Sequence, residues 1–275
     1  MTSAVFASQP TFPDLLRSWR RVHKVSQGDL SNIAGISQRH LSFLESGRSS
    51  PSRDMVMRLA EALEVPLRET NSMLQAAGFA GVYTEHQLDQ GEMREARNAL
   101  AVMLKHHEPY GAMVIDRNWN LIMMNDASTR LFAHFIDPVQ VWAEVGGDKP
   151  NMIRATLHEK GLRPYITNWD DFACYFLKQF ERELTSNPYN REARELLDEI
   201  QVYPDMPEPA SINVAETRPF LTLSLKKDDL SLQFFTMVST FGTPLDVTLQ
   251  EIRIETFFPA DEVTEGFVQN QLRDK

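Results

Sequence analysis

The stretch SQGDLSNIAGISQRHLSFLESGRSSPS, residues 26–52, carries its own punctuation. Ser26 is placed as a helix N-cap, with Asp29 three positions on as the acidic partner of a capping box. Leu30, Ile33 and Ala34 come next at helical spacing, and Gly35 ends that short helix. Ile36 turns inward, Ser37 caps a second helix over Gln38–Ser46, and Gly47 closes it. The same grammar extends outward. Pro13 suits a first helical turn, with Leu15, Leu16, Trp19 and Val22 behind it. Downstream, Met55, Val56, Leu59, Ala60 and Leu63 mark a fourth helix, and a fifth runs from after Pro66 to Gly78. Five short helices are expected over residues 12–78.

Two short helices joined by a glycine turn inside a small helical domain suggest a helix-turn-helix. The quoted string, with Ser26-Gln27, Leu30, Gly35-Ile36-Ser37, Glu45-x-Gly47 and Pro51 at fixed spacing, resembles the DNA-binding domain of XRE-type regulators. That group includes the phage lambda repressor and Cro. The resemblance implies that the second helix of the motif enters the major groove by its N-terminal residues, while helix ends and loops hold phosphates. The DNA-facing residues so implied are Gln27, Ser37, Gln38, Arg39, His40, Phe43, Ser46, Arg48 and Arg53. Arg39 can read guanine and Gln38 adenine in bidentate fashion. His40 suits a base or a phosphate, and Phe43 suits a thymine methyl or partial packing. Arg20 and Glu45 match positions that form a structural ion pair in the family.

The chain has 275 residues and a formal net charge of −10, which taken whole speaks against nucleic acid. The charge is uneven, however. Residues 1–83 hold 9 basic and 7 acidic side chains, a net of +2, and the remainder carries −12. So small a positive charge favours a homodimer on a pseudo-palindromic double-stranded operator, with strong salt dependence. No run approaches a membrane span and no secretory leader is evident, so no membrane partner is expected and the location is expected to be cytoplasmic. One cysteine, Cys174, excludes an intramolecular disulfide and a Cys-based zinc site. The expected division is a lambda-repressor-like all-α domain over 1–80, a linker over 81–91 and an α+β domain over 92–275.

In the second domain, a helix over Met93–Leu104 precedes a hairpin of Tyr110–Asp116 and Leu121–Asn125, then a helix over Asp126–Phe135. Further helices lie near Phe172–Leu184 and Asn190–Gln201. Three strands finish it: one through Leu221–Leu225, one through Leu230–Val238, and one over Val247–Phe258 with a bulge near Gln250–Glu251, where the apolar phase slips. The stretches HHEPYGAMVIDRNWNLIMMN, NMIRATLHEKGLRPYITNW and FFTMVSTFGTPLDVTLQEIRIETFFPAD resemble the C-terminal domain of MmyB-like regulators. This implies a PAS-like fold and a small apolar effector, a fatty acid being the known type.

Candidate ligand residues are Met123, Phe172, Phe176, Phe235, Phe241 and Phe257 for an apolar wall, with Phe234 beside them. Each also suits plain core packing. Asn151, Arg154 and His158, with Arg163, are candidates to hold a carboxylate. Arg154 would alternatively pair with a buried Glu such as Glu251 or Glu255. No resident cofactor or metal is expected beyond such an effector. GxSxG, phosphate-loop, GxGxxG and HExxH patterns are missing, so no enzyme is expected. Asp170-Asp171 reads as first-turn capping. His106-His107-Glu108 reads as a helix end. The other course open to the second domain is a dimerisation or protein-interaction scaffold without ligand.

Overall fold

The computed structural model describes residues 10–207 and 220–272. The chain divides into two compact units, one of Met1–Glu85 with Pro244–Gln250, the other of His86–Thr243 with Glu251–Lys275. No helix among the described residues is long and apolar enough to cross a membrane.

The first unit is helical: α1 (Phe12–Val22), α2 (Gln27–Ile33), α3 (Gln38–Glu45), α4 (Arg53–Ala62) and α5 (Leu67–Ala76). Ser26, Ser37 and Ser52 each accept a backbone N–H of the next turn, from Asp29, His40 and Met55. Gly35, Gly47 and Gly78 stand just past helix ends at φ of 64°, 71° and 87°, a region that suits glycine. Leu16, Trp19, Leu30, Leu41, Leu44 and Leu59 are fully buried. Helix α1 packs on α3 and α5, and α2 packs on α3 and α4.

One polar knot lies among these apolar surfaces. The Arg20 Nε donates to Glu45 Oε1 at 2.5 Å and its Nη2 to Oε2 at 3.1 Å, while Gln27 Nε2 donates to the same carboxylate at 2.7 Å. Burial works against the Glu45 charge, but the hydrogen bonds from Arg20 and Gln27 prevail and hold its pKa below the usual value. Arg20 also donates to the Val25 carbonyl at 3.0 Å, so one guanidinium joins α1, the α1–α2 turn and α3.

The second unit is α+β. Helix α6 (Arg94–His106) precedes β1 (Ala112–Ile115) and β2 (Leu121–Met124). The Asp116 carboxylate closes their turn by accepting the Asn118 and Asn120 N–H groups at 2.8 and 2.9 Å. Five helices come next: α7 (Asp126–Phe135), α8 (Pro138–Glu144), α9 (Met152–Leu157), α10 (Trp169–Ser186) and α11 (Arg191–Ile200). Then come β3 (Leu223–Lys227), β4 (Leu230–Thr240), α12 (Val247–Glu251), β5 (Arg253–Pro259) and α13 (Glu262–Phe267). The five strands form one antiparallel sheet in the order β2-β1-β5-β4-β3. This is the curled sheet of a PAS-like domain. A core of Met113, Leu131, Phe135, Leu232, Phe234 and Phe257 joins the sheet to α7, and Ile153, Leu177, Phe180 and Leu197 tie α9, α10 and α11.

One expected element is corrected. Val247–Phe258 is not a single bulged strand; the chain makes the short helix α12 and enters β5 only at Arg253. The slip in apolar phase at 250–251 therefore marks a change from helical to strand geometry. The reason is tertiary. Pro244–Gln250 belongs to the helical unit, where Val247 N–H donates to the Thr84 carbonyl at 2.9 Å and Gln250 Oε1 accepts from Leu67 N–H at 2.7 Å. Asp246, itself buried, accepts from the Thr84 hydroxyl at 3.0 Å. The helical unit is thus discontinuous in sequence.

Replacing Arg20 with alanine strands a carboxylate whose side chain is only 5% exposed. The variant is expected to lose about 2–3 kcal/mol, read as a lower urea midpoint of the helical unit by circular dichroism. An unchanged midpoint would remove the pair from the stabilising set.

Candidate functional site

Two surfaces carry chemistry, one in each unit. On the helical unit, Gln38 and Arg39 of α3 are exposed and His40 and Phe43 are half-buried. The Arg39 guanidinium lies over the Phe43 ring, 5.4 Å from its centroid, which restrains a long flexible side chain at the start of the helix. Ser37 caps this helix, and Ser46 donates to the Phe43 carbonyl at 3.3 Å. Arg48 and Arg53 are exposed on the loop after α3 and at the first residue of α4. Gln27 sits differently: its amide group is the third contact of the Arg20–Glu45 pair, so its position is set by that knot.

In the second unit, the sheet and α10 border a partly open cavity of about 340 Å³. Its wall includes Met113 of β1, Phe234 of β4, Phe257 of β5, Phe132 of α7, and Phe172 and Phe176 of α10. Phe172 stacks on Phe176 with centroids 6.1 Å apart, and Trp119 meets Phe176 at 5.2 Å. The Trp119 indole N–H is buried without a hydrogen-bond partner, an open donor on a residue that lines the cavity. A second cavity of about 430 Å³, bordered by Met123, Met124 and Trp142, shares Phe132 and Met152 with the first.

Of the expected apolar residues, Phe172, Phe176, Phe235 and Phe257 line the main cavity, and Met123 lines its neighbour. Phe241 lines neither. The expected carboxylate clamp is not assembled. Arg154 is bound by Glu199, with Nη2 to Oε2 at 2.6 Å, and not by Glu251 or Glu255. That pair holds Glu199 below its usual pKa, and the Tyr203 hydroxyl adds a hydrogen bond at 2.6 Å. His158 packs edge-on against Tyr203, and Arg163 pairs with Asp205 at 2.9 Å. Asn151 caps α9 and donates to the Asn118 carbonyl at 2.8 Å, which ties α9 to the β1–β2 turn. None of Asn151, Arg154, His158 or Arg163 lines the aromatic cavity.

The carboxyl group that lines it among the described residues is not singled out for the site by sequence. Glu255 of β5 stands between Met113 of β1 and Val238 of β4 and is buried. Burial pushes its carboxyl up to about 7, against a hydrogen bond from the Thr236 hydroxyl and the charge of Arg253. The available signal is strand alternation, since Phe257 and Glu255 share a face two residues apart. It is obscured because Ile254 and Thr256 on the opposite face are buried as well.

Comparison with protein families matches residues 16–69 to a helix-turn-helix model and residues 96–270 to the MmyB-like transcription regulator ligand binding domain. The second match covers well over half of the chain. This chain belongs to the MmyB-like transcription regulators. No match is found among curated proteins. The MmyB-like regulator thus joins a DNA-binding helix-turn-helix to a ligand-binding domain, and the α3 surface and the aromatic cavity lie one in each matched region.

A raised carboxyl pKa in the fold means that stability is fully present below the ordinary Glu value and is lost as pH rises through the folded value. The regulator's Glu255→Gln variant is therefore expected to melt above wild type at pH 8, with the difference shrinking towards pH 4. Parallel melting curves at all pH values would show that the buried carboxyl carries no such cost.

Proposed function

We propose that this regulator binds operator DNA as a homodimer, presenting α3 of each copy to successive major grooves, and that an apolar effector in the aromatic cavity adjusts operator affinity. The cavity carries the effector reading: a space of about 340 Å³ walled by rings from β4, β5, α7 and α10. It favours an effector-binding domain over a scaffold with a filled core. For DNA, the exposed row Gln38, Arg39 and His40 at the start of α3 is the base-reading edge, with Ser46, Arg48 and Arg53 placed for phosphates. The modest charge of the helical unit supports two copies on a pseudo-palindrome.

An effector changes DNA affinity only by binding one arrangement of the protein better than another. The covalent connections supply a route. Strands β4 and β5 both line the cavity, and the chain between them, Pro244–Gln250, belongs to the DNA-binding unit. A fatty acid, which the family resemblance suggests, suits the apolar wall by its chain. Its carboxylate finds no cationic partner among the described residues lining the cavity.

The test begins with operator selection from random duplexes. Arg39→Ala is expected to weaken the selected operator by about 5- to 150-fold, with little change on unrelated DNA. Affinity should fall steeply with salt in both proteins. Unchanged sequence preference in the variant would sink the assignment of α3. Molecules extracted from the purified protein should shift its melting and its operator affinity; protein free of any apolar molecule and indifferent to apolar additives would sink the effector.

A further inference from the structure

The aromatic cavity and its neighbour of about 430 Å³ are divided by two side chains, Phe132 and Met152, each of which lines both. Helix α9 runs past the two spaces. Ala155 lines the second cavity, Thr156 the first, and Met152 stands between them. Helical geometry accounts for this, since positions 155 and 156 fall about 60° and about 40° to opposite sides of position 152. Helix α7 supplies the rest of the partition: Thr129 and Ile136 line the second cavity, and Phe132 faces both. The two dividing side chains differ in freedom. Phe132 is buried and set edge-on against Phe257, with centroids 6.2 Å apart. Met152 is buried as well, but an unbranched thioether with three torsions re-packs readily. Its backbone is held: the Met152 N–H donates to the Trp119 carbonyl at 2.9 Å, and Asn151 caps the helix.

The two spaces also differ in polarity. Thr156, Gln179, Thr236 and Glu255 are among the residues lining the first. Among the described residues lining the second, the polar side-chain atoms are those of Thr129 and the Trp142 indole. We infer that the two cavities are one elongated site, in which a long alkyl chain passes Met152 and ends in the second cavity. Met152 is then the residue that sets which chain lengths the protein accepts, and the second cavity is the subsite for the tail. The inference rests on the proposal that the aromatic cavity holds an apolar effector. It concerns the tail of that effector and is independent of its head group.

Such a site carries a signature in chain length. Each methylene buried in an existing cavity tightens binding by about fourfold. A chain confined to the first cavity stops gaining when its end meets Phe132 and Met152. A chain that displaces the Met152 thioether loses about 2- to 12-fold once, for a rotamer change, and then gains again as it fills the second cavity.

The experiment uses the full chain and two probe series, n-alkanoates and 1-alkanols from octyl to hexadecyl, supplied from cyclodextrin and compared by calorimetric titration. In both series, affinity should rise by about fourfold per methylene, pause at one length and rise again. Leu121→Trp, which takes up space in the second cavity, should weaken the hexadecyl probes by about tenfold or more and leave the octyl probes within about twofold. Met152→Ala should tighten the hexadecyl probes by about 2- to 12-fold and leave the octyl probes unchanged, whereas a merely structural role would move both lengths together. The wild-type profile needs no variant to fold. A gain that stops at one length and never resumes overturns the joined site and leaves an effector confined to the aromatic cavity. An unbroken gain, or a Met152→Ala variant that moves both lengths alike, overturns the role of Met152. Failure of every probe to bind overturns the effector reading as well.

Discussion

Strand β5 is hydrogen-bonded along both edges, to β1 from Arg253 to Thr256 and to β4 from Arg253 to Pro259. It cannot slip by one residue without exchanging every side chain between the two faces of the sheet. That register puts Arg253, Glu255 and Phe257 on the face that meets α10, where the first is tied to Glu183 and the other two line the cavity. It also sets where the chain enters the sheet, immediately after the segment that the helical unit claims. The cavity's shape, its buried acid Glu255 and its covalent link to the DNA-binding unit all depend on the placement of this strand.

The helical unit depends on a smaller constraint of the same kind. Its short helices bury leucines that many bundles would bury, but the Glu45 carboxylate takes hydrogen bonds from α1 and α2 while sitting on α3. A charged group so held accepts few alternative arrangements, and the helix that bears it is the one that presents Arg39 to solvent. Exposure and support are therefore separated along one helix: its N-terminal residues lie open to solvent, and its buried C-terminal acid fixes the pose.

Much of this architecture is legible in the residues alone. The capping serines and the three glycines after helix ends are readable because their signals are local, arising from orphan backbone groups and positive φ. The first hairpin is readable in the same way, and the Arg20–Glu45 pair through resemblance. What local signals do not show is partner choice. Arg154, His158 and Arg163 have the right chemistry for a carboxylate and are instead held by Glu199, Tyr203 and Asp205, residues 42 to 45 positions away for the three contacts. Residues 247–251 read as strand because Val247 and Leu249 alternate with polar neighbours ahead of an apolar run. They form a helix because Thr84 and Leu67 hold that segment.

By itself, then, the sequence determined the helical unit, the α+β class of the body, the apolar character of its interior and the division of a net charge of −10 into +2 and −12. These rest on periodicity, caps and composition, which act over a few residues or over whole segments. Tertiary structure decided which rings border a cavity, that Arg154 and Arg163 are already paired, and that Glu255 stands among the cavity's lining residues. On a central strand covered on both faces, alternation no longer separates inside from outside, and only the neighbours across the sheet and on α10 define what a side chain faces.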